Sequence, residues 1–458
     1  MSSLRIMIAA ALIIAGSAAS GQILQSVPLP QVSLPGGSGG GLLGGIGQAV
    51  DPVTGGVLGQ SLDGTISRQV SRADIQRAIN PSLARLATDR WIQSAPPATL
   101  ADLRRLRLAE LVKDNRAVLE MDGAGNPARR GVVVAIDPAA TDLAAAARAG
   151  FRVTADERNA EFGIRMVTLS VPRGVSTAQG LKLLRREAPR MVADFDHVFE
   201  PAGGTLAATS VALAAANVEG NGRLIGMIDG GVGRAPALAS ASIEQKGFAG
   251  AAQATGHGTA VASLIVGSDG KFAGAARGAR LLVGDVYGGN PAAGSATSVV
   301  NAMAWIASKR PSVINVSLVG PRNALVSRAV EIVLARGIQV VAAVGNDGPA
   351  APPLYPASQA GVIAVTGVDG ANRALAEAGR SAHLDYAGPG ADMAAALPGK
   401  GYATVRGTSF AAPFVTARLA MTGSTARLDS ELARGHGRIG KGVVCATCRI
   451  APKQVGAK

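Results

Sequence analysis

Residues 224–232 read Leu224-Ile225-Gly226-Met227-Ile228-Asp229-Gly230-Gly231-Val232, an apolar run that ends on one carboxylate and then turns through two glycines. A short, continuous apolar run suits a strand buried on both faces, as in parallel sheets. Similar runs follow at 281–286, 313–317, 340–344 and 362–368, and helical segments at 260–266, 298–308 and 322–336 alternate with them. Buried strands alternating with helices make an α/β fold, a doubly wound and mostly parallel sheet. Loops beyond the carboxyl ends of such strands gather into one crevice, so Asp229 stands where an active site is built. Asp before Gly is also an ordinary turn, and alone it decides nothing.

Three other positions carry chemistry. His257 sits in Gly256-His257-Gly258-Thr259 at the start of a helix, where flanking glycines allow close backbone approach. A neutral imidazole is the natural general base near pH 7. Ser409 lies in Gly407-Thr408-Ser409-Phe410-Ala411-Ala412-Pro413, opening a helix whose free amides and positive dipole end favour an oxyanion. A serine at a helix start is more often a cap. Asn346, in Val344-Gly345-Asn346-Asp347-Gly348, follows a strand and has a side-chain amide to offer a second oxyanion hydrogen bond. By itself Asn-x-Gly signals only a turn. His197, His383 and His436 have no comparable setting and read as structural or surface residues.

Together, the motifs around Asp229, His257, Asn346 and Ser409 resemble the subtilisin-like serine protease (subtilase) family, in its order Asp, His, Ser. The resemblance covers about 218–444 and extends to Ile314-Asn315-Val316-Ser317-Leu318-Val319-Gly320 as a substrate-binding strand. It implies Asp229, His257 and Ser409 as a catalytic triad, and Asn346 with the Ser409 amide as the oxyanion hole. It also implies a substrate cleft lined by Ser317, Leu318, Val319, Gly320, Val344 and Gly345. No organic cofactor is called for; structural calcium stays open, with no metal ligand assigned. Two departures stand out. Gly230 replaces the family's usual Ser or Thr, and Val319 replaces a usual glycine, where it narrows the groove or the primary specificity pocket. The rival reading is a catalytically inactive subtilase fold that binds peptides or a surface.

Outward from this half, 131–203 alternates strand and helix as a small α+β sandwich: strands at 131–136, 151–154, 164–171 and 191–199, helices at 139–149 and 177–187, and a turn through 156–163. By pattern it resembles the inhibitory propeptide of the same family, which implies self-cleavage somewhere in 200–216, within or beside the connector 204–217. The region 61–130 is helical or irregular, with a helix through 71–114 whose start looks like a capping box at Thr99 and Asp102. Its Arg104, Arg105 and Arg107 read as a solvated edge. Residues 21–60 form a Gly-rich flexible leader, and 1–20 has the charge, apolar core and small residues of a signal peptide.

Export to a periplasm or beyond is therefore expected, with no later membrane span. There, Cys445 and Cys448, in the tail 445–458, are expected to form a local disulfide. The chain has 458 residues and a formal charge of +14, but only 3% aromatic residues and no basic run interleaved with rings. That excess reads as arginines scattered over solvated faces, so no nucleic-acid partner is expected. The expected partners are protein or peptide substrates and the chain's own propeptide-like region, and the expected state is a monomer.

Overall fold

A computed structural model of the chain describes residues 97–202, 222–399 and 401–457. The signal-peptide, Gly-rich and connector readings, and the helix reading before residue 97, lie outside the described residues. Helix α1 (Pro97–Asp114) opens the described chain. A five-stranded antiparallel sheet follows, of β1 (Leu119–Met121), β2 (Pro127–Ile136), β3 (Arg152–Asn159), β4 (Ile164–Ser170) and β5 (Val192–His197). Helices α2 (Ala140–Arg148) and α3 (Thr177–Glu187) are spliced into it, and the two-residue strand β6 (Glu200–Pro201) comes next.

Period-two alternation lets this small sheet bury both faces. Val133 and Ala135 of β2 join Leu181 and Leu184 of α3 in the sandwich's own core. Val134 and Ile136, which alternate with them, join a second core that belongs to the rest of the molecule. The turn expected at 156–163 begins only after Asn159, because β3 stays paired with β4 to the register Asn159↔Ile164. Helix α1 already includes Pro97, so Thr99 lies within the helix rather than capping its start.

The larger unit is the expected α/β sheet. Its seven strands are all parallel, in the order β16-β15-β14-β12-β7-β11-β8: β7 (Leu224–Asp229), β8 (Ser242–Gly247), β11 (Arg280–Asp285), β12 (Val313–Val316), β14 (Gln339–Ala343), β15 (Ile363–Val368) and β16 (Tyr386–Pro389). Winding runs one way from β7 to β8 and β11, then crosses back over β7 to β12, so β7 is the switch point. Helices α4 (Gly256–Val266), α5 (Ala296–Ser308) and α6 (Ala324–Ala335) lie between strands, and three short pairs, β9 (Ser268–Asp269) with β10 (Phe272–Ala273), β13 (Leu318–Val319) with β6, and β17 (Met393–Leu397) with β18 (Gly401–Val405), decorate the edges. Helix α7 (Thr408–Thr422) and the short α8 (Thr425–Asp429) close the order.

Cys445 and Cys448 are disulfide-bonded, and the Ile450 carbonyl accepts from the Ala394 amide of β17 at 2.9 Å, which lays the last segment on the large unit. Among the described residues no helix is long and apolar enough to cross a membrane.

The sandwich docks on the first turns of α5 and α6. Asp194 and Asp196 are two apart on β5 and face the same side. Asp196 Oδ1 accepts from the Thr297 amide at 3.0 Å, and Asp194 Oδ2 from the Ala324 amide at 2.9 Å. Each carboxylate thus meets a helix start whose amides lack partners, where negative charge is favoured. Losing one such cap costs about 0.5–2 kcal/mol. Asp194→Ala with Asp196→Ala is therefore expected to loosen the docking by about 1–4 kcal/mol. Hydrogen exchange should show the β5 amides less protected while those of β7 and β12 stay unchanged.

Candidate active site

Asp229 is the last residue of β7, at the carboxyl edge of the switch-point strand. His257 is the second residue of α4, a helix capped by the Thr255 hydroxyl, which accepts from the Gly258 amide at 2.9 Å. Gly258 has no room for a side chain: a Cβ there would stand 2.2 Å from the Gly230 carbonyl oxygen. That contact presses the start of α4 onto the turn behind Asp229. Ser409 is the second residue of α7, which carries Pro413 in its early turns.

The structure brings these three side chains together, all of them buried. His257 Nδ1 lies 2.9 Å from each carboxylate oxygen of Asp229, and Nε2 lies 2.9 Å from Ser409 Oγ. With the Nδ1 proton donated to Asp229, Nε2 is left bare to receive the serine proton. Asp229 also accepts from the Gly230 amide at 2.6 Å. The missing hydroxyl at Gly230 has a physical counterpart, because a Cβ there would fall 2.4 Å from Thr255 Oγ1. Thr255 fills that space but bonds Gly231 and Gly258 rather than the carboxylate.

Asn346 follows β14 and is oriented from one side. Its Oδ1 accepts from the Thr408 amide at 2.9 Å, while its Nδ2 is buried with no hydrogen-bond partner. An unpaired buried donor is costly, about 1–3 kcal/mol. The loop carrying it is held at several points. Thr408 Oγ1 accepts from the Gly345 amide at 3.1 Å, and the Glu377 carbonyl accepts from the Gly348 amide at 2.8 Å. Glu377 itself makes a two-point ion pair with Arg406, at 2.7 and 2.9 Å.

Several supports escaped sequence reasoning. Asn315 Nδ2 donates to Ser317 Oγ at 2.8 Å, and Ser317 Oγ donates to the Ser409 carbonyl at 2.9 Å. Thr416 of α7 donates back to Asn315 at 3.0 Å. This buried chain ties β12 to α7 and sets Ser409; the alternation Asn-x-Ser was its only signal. Asp285, opposite Asp229 in the β11–β7 register, accepts from the amides of Gln253, Tyr287 and Gly288 at 2.8, 2.9 and 3.0 Å. Burial pushes its carboxyl above the ordinary range, against those hydrogen bonds. It steadies the loop that leads to His257.

The chain's own segment 199–202 lies along the cleft. Strand β6 pairs antiparallel with β13, and the Ala202 amide donates to the Ser317 carbonyl at 2.9 Å. The Phe199 amide donates to the Gly294 carbonyl at 2.7 Å, and the Phe199 ring covers Gly320. Ser317, Leu318, Val319 and Gly320 thus line this strand, with Val344 and Gly345 beyond Val319.

Helix α1 locks the segment from outside, which overturns the solvated edge expected for Arg104 and Arg107. Arg104 Nε stands 3.1 Å from Asp347, and Arg107 Nη2 stands 3.0 Å from Asp347 and 3.3 Å from Glu200. Positions 104 and 107 share a helix face, while Arg105 points away and stays exposed. Burial alone would lower the Arg107 pKa, but the carboxylates of Glu200 and Asp347 overcome it and raise it.

The subtilase family model matches residues 220–430. The major intracellular serine protease of Bacillus subtilis (strain 168) is 34% identical over 173 residues, 36% of this chain and 54% of that protein. Subtilisin Savinase of Lederbergia lenta is 35% identical over 169 residues, 36% of this chain and 62% of that protein. The chain thus spans between 54% and 62% of the length of these two relatives. Among solved structures, fervidolysin from Fervidobacterium pennivorans, a keratinolytic enzyme related to subtilisin, superposes with a TM-score of 0.57 at 18% identity, over 70% of this chain and 61% of that one. At that identity the likeness is one of fold.

If the unpaired Asn346 amide receives a forming oxyanion, Asn346→Leu should slow acylation of Ser409 by a fluorophosphonate on the order of 100- to 1000-fold, the magnitude known for the same donor in subtilisin. An unchanged labelling rate in a folded variant would remove Asn346 from the site.

Proposed function

We propose, from the match of residues 220–430 to the subtilase family model, that this chain is a serine endopeptidase made as a self-processing precursor. The observation that carries the reading is the 2.9 Å approach of Ser409 Oγ to a His257 nitrogen whose ring is held from behind by Asp229. Ser409 Oγ attacks the peptide carbonyl carbon while its proton passes to His257 Nε2. Asp229 orients the imidazole and stabilises its protonated form. The oxyanion takes hydrogen bonds from Asn346 Nδ2 and the Ser409 amide. His257 then gives the proton to the leaving amine, which departs and leaves an ester on Ser409. Water, deprotonated by the same imidazole, attacks that ester and releases the acid.

Extended substrate backbone adds a strand beside residues 317–320, as the chain's own segment 199–202 does. That segment also narrows the processing site within the expected range 200–216. On this reading the cut falls at Ala202–Gly203, directly after the paired segment whose last amide, that of Ala202, donates to the Ser317 carbonyl. Residues 97–202 then act as an inhibitor held by β6, by the acid caps of α5 and α6, and by the α1 ion pairs. Export through residues 1–20 and action as a monomer complete the proposal.

Two outcomes check it. Purified wild-type enzyme should begin at Gly203 by mass spectrometry, whereas Ser409→Ala should accumulate uncut and hydrolyse no casein; normal processing of Ser409→Ala would overturn the reading. Arg107→Ala removes two partly exposed ion pairs worth about 0.5 kcal/mol each. The lag before activity appears should shorten roughly fivefold.

A further inference from the structure

We infer that the cleft accepts only small residues, alanine above all, immediately before the cut bond, because Val319 and Leu354 fill the space a larger side chain needs. The inference rests on the peptidase reading and goes beyond it to the substrate class. Ala202 occupies that place in the precursor: its amide is bound to Ser317, and the residue is 4% exposed. It belongs to the same packed cluster as Val319 and Leu354, themselves 4% and 3% exposed.

The two closing side chains are pinned by the backbone. Gly320 and Tyr355 exchange both hydrogen bonds of an antiparallel bridge, at 3.0 and 2.9 Å, which sets Leu354 and Val319 beside the same turn. Both reach Gly345, the residue before Asn346. A Cβ on Gly345 would stand 2.8 Å from Leu354 Cδ1 and 3.5 Å from Val319 Cγ1. The gap between the strand 317–320 and the loop 344–346 is therefore filled by aliphatic carbon rather than left as a hollow. A glycine at 319 would leave one wall of it open. Val319 is β-branched and has little rotamer freedom with which to move aside. A leucine or phenylalanine before the cut bond would need room between these two segments that Val319 and Leu354 already take up in a close-packed cluster.

The test is a ladder of peptide p-nitroanilides, Phe-Glu-Pro-X, with X as Gly, Ala, Ser, Val, Leu or Phe, read as kcat/KM on the processed wild-type enzyme. Alanine should stand highest, and Leu and Phe should be at least about 100-fold lower, since even one methylene misfitted in a pocket is worth 10- to 200-fold. Val319→Gly with Leu354→Gly should raise the Phe peptide at least tenfold. Equal rates for Ala, Leu and Phe in the wild type would overturn the inference, whether or not the double variant folds. In the full chain, Ala202→Phe should process at least about tenfold more slowly, and processing at the wild-type rate would likewise overturn it. A small fluorophosphonate needs no side-chain pocket and separates the two levels. Labelling of Ser409 with a flat ladder sinks this inference alone; no labelling and no hydrolysis sinks the peptidase reading and this inference with it.

Discussion

Everything at the site depends on two buried helices being forced end-first against the carboxyl edge of one parallel sheet. All residues of α4 are buried, and so is most of α7. A helix apolar on every side has no solvent face and cannot roll or slide without exposing carbon. The first turns of both helices are thereby fixed beside the end of β7, and their second residues are His257 and Ser409. Gly258 against Gly230 sets one separation, and the Asn315–Ser317–Ser409 chain sets the other. The 2.9 Å contacts among Asp229, His257 and Ser409 are the consequence of this packing rather than its cause.

The same rigidity gives the cleft its character. On the proposed reading, a strand-shaped groove beside the Asn346 amide, with its side pocket filled by Val319 and Leu354, selects for extended backbone and small side chains. The N-terminal sandwich reads that groove with its own residues Phe199, Glu200, Pro201 and Ala202. It spends three sets of interactions on staying there: β pairing, helix-start caps from Asp194 and Asp196, and the Arg104–Asp347–Arg107–Glu200 ion pairs. Burial of apolar carbon on the sandwich's second face adds to these.

Much of this was legible in the sequence because it is local. Apolar runs mark the parallel strands, and Asp229, His257, Asn346 and Ser409 each sit in a short motif of their own. What could not be read was set by contacts between distant residues. Arg104 and Arg107 look like a solvated face until the fold brings Asp347, 240 positions away from Arg107, into reach. Leu354 shows no sign of closing a pocket until the Gly320–Tyr355 bridge is known. Glu377 and Arg406 carry no motif that distinguishes a loop support from an ordinary polar residue, and the motif that contains Thr408 gave no sign of its bond to Gly345. Val319, by contrast, was visible as a departure that narrows the groove or the primary specificity pocket, whereas its neighbour Leu354 was not.

The most direct test of the central claim is to trap the acyl intermediate. Processed enzyme mixed with a slowly hydrolysed activated ester and quenched in acid should carry one acyl group, mapped by peptide mass spectrometry to Ser409, and His257→Ala should carry none. An adduct on another residue, or one that forms equally well without His257, would contradict the proposal that these two side chains act as nucleophile and base.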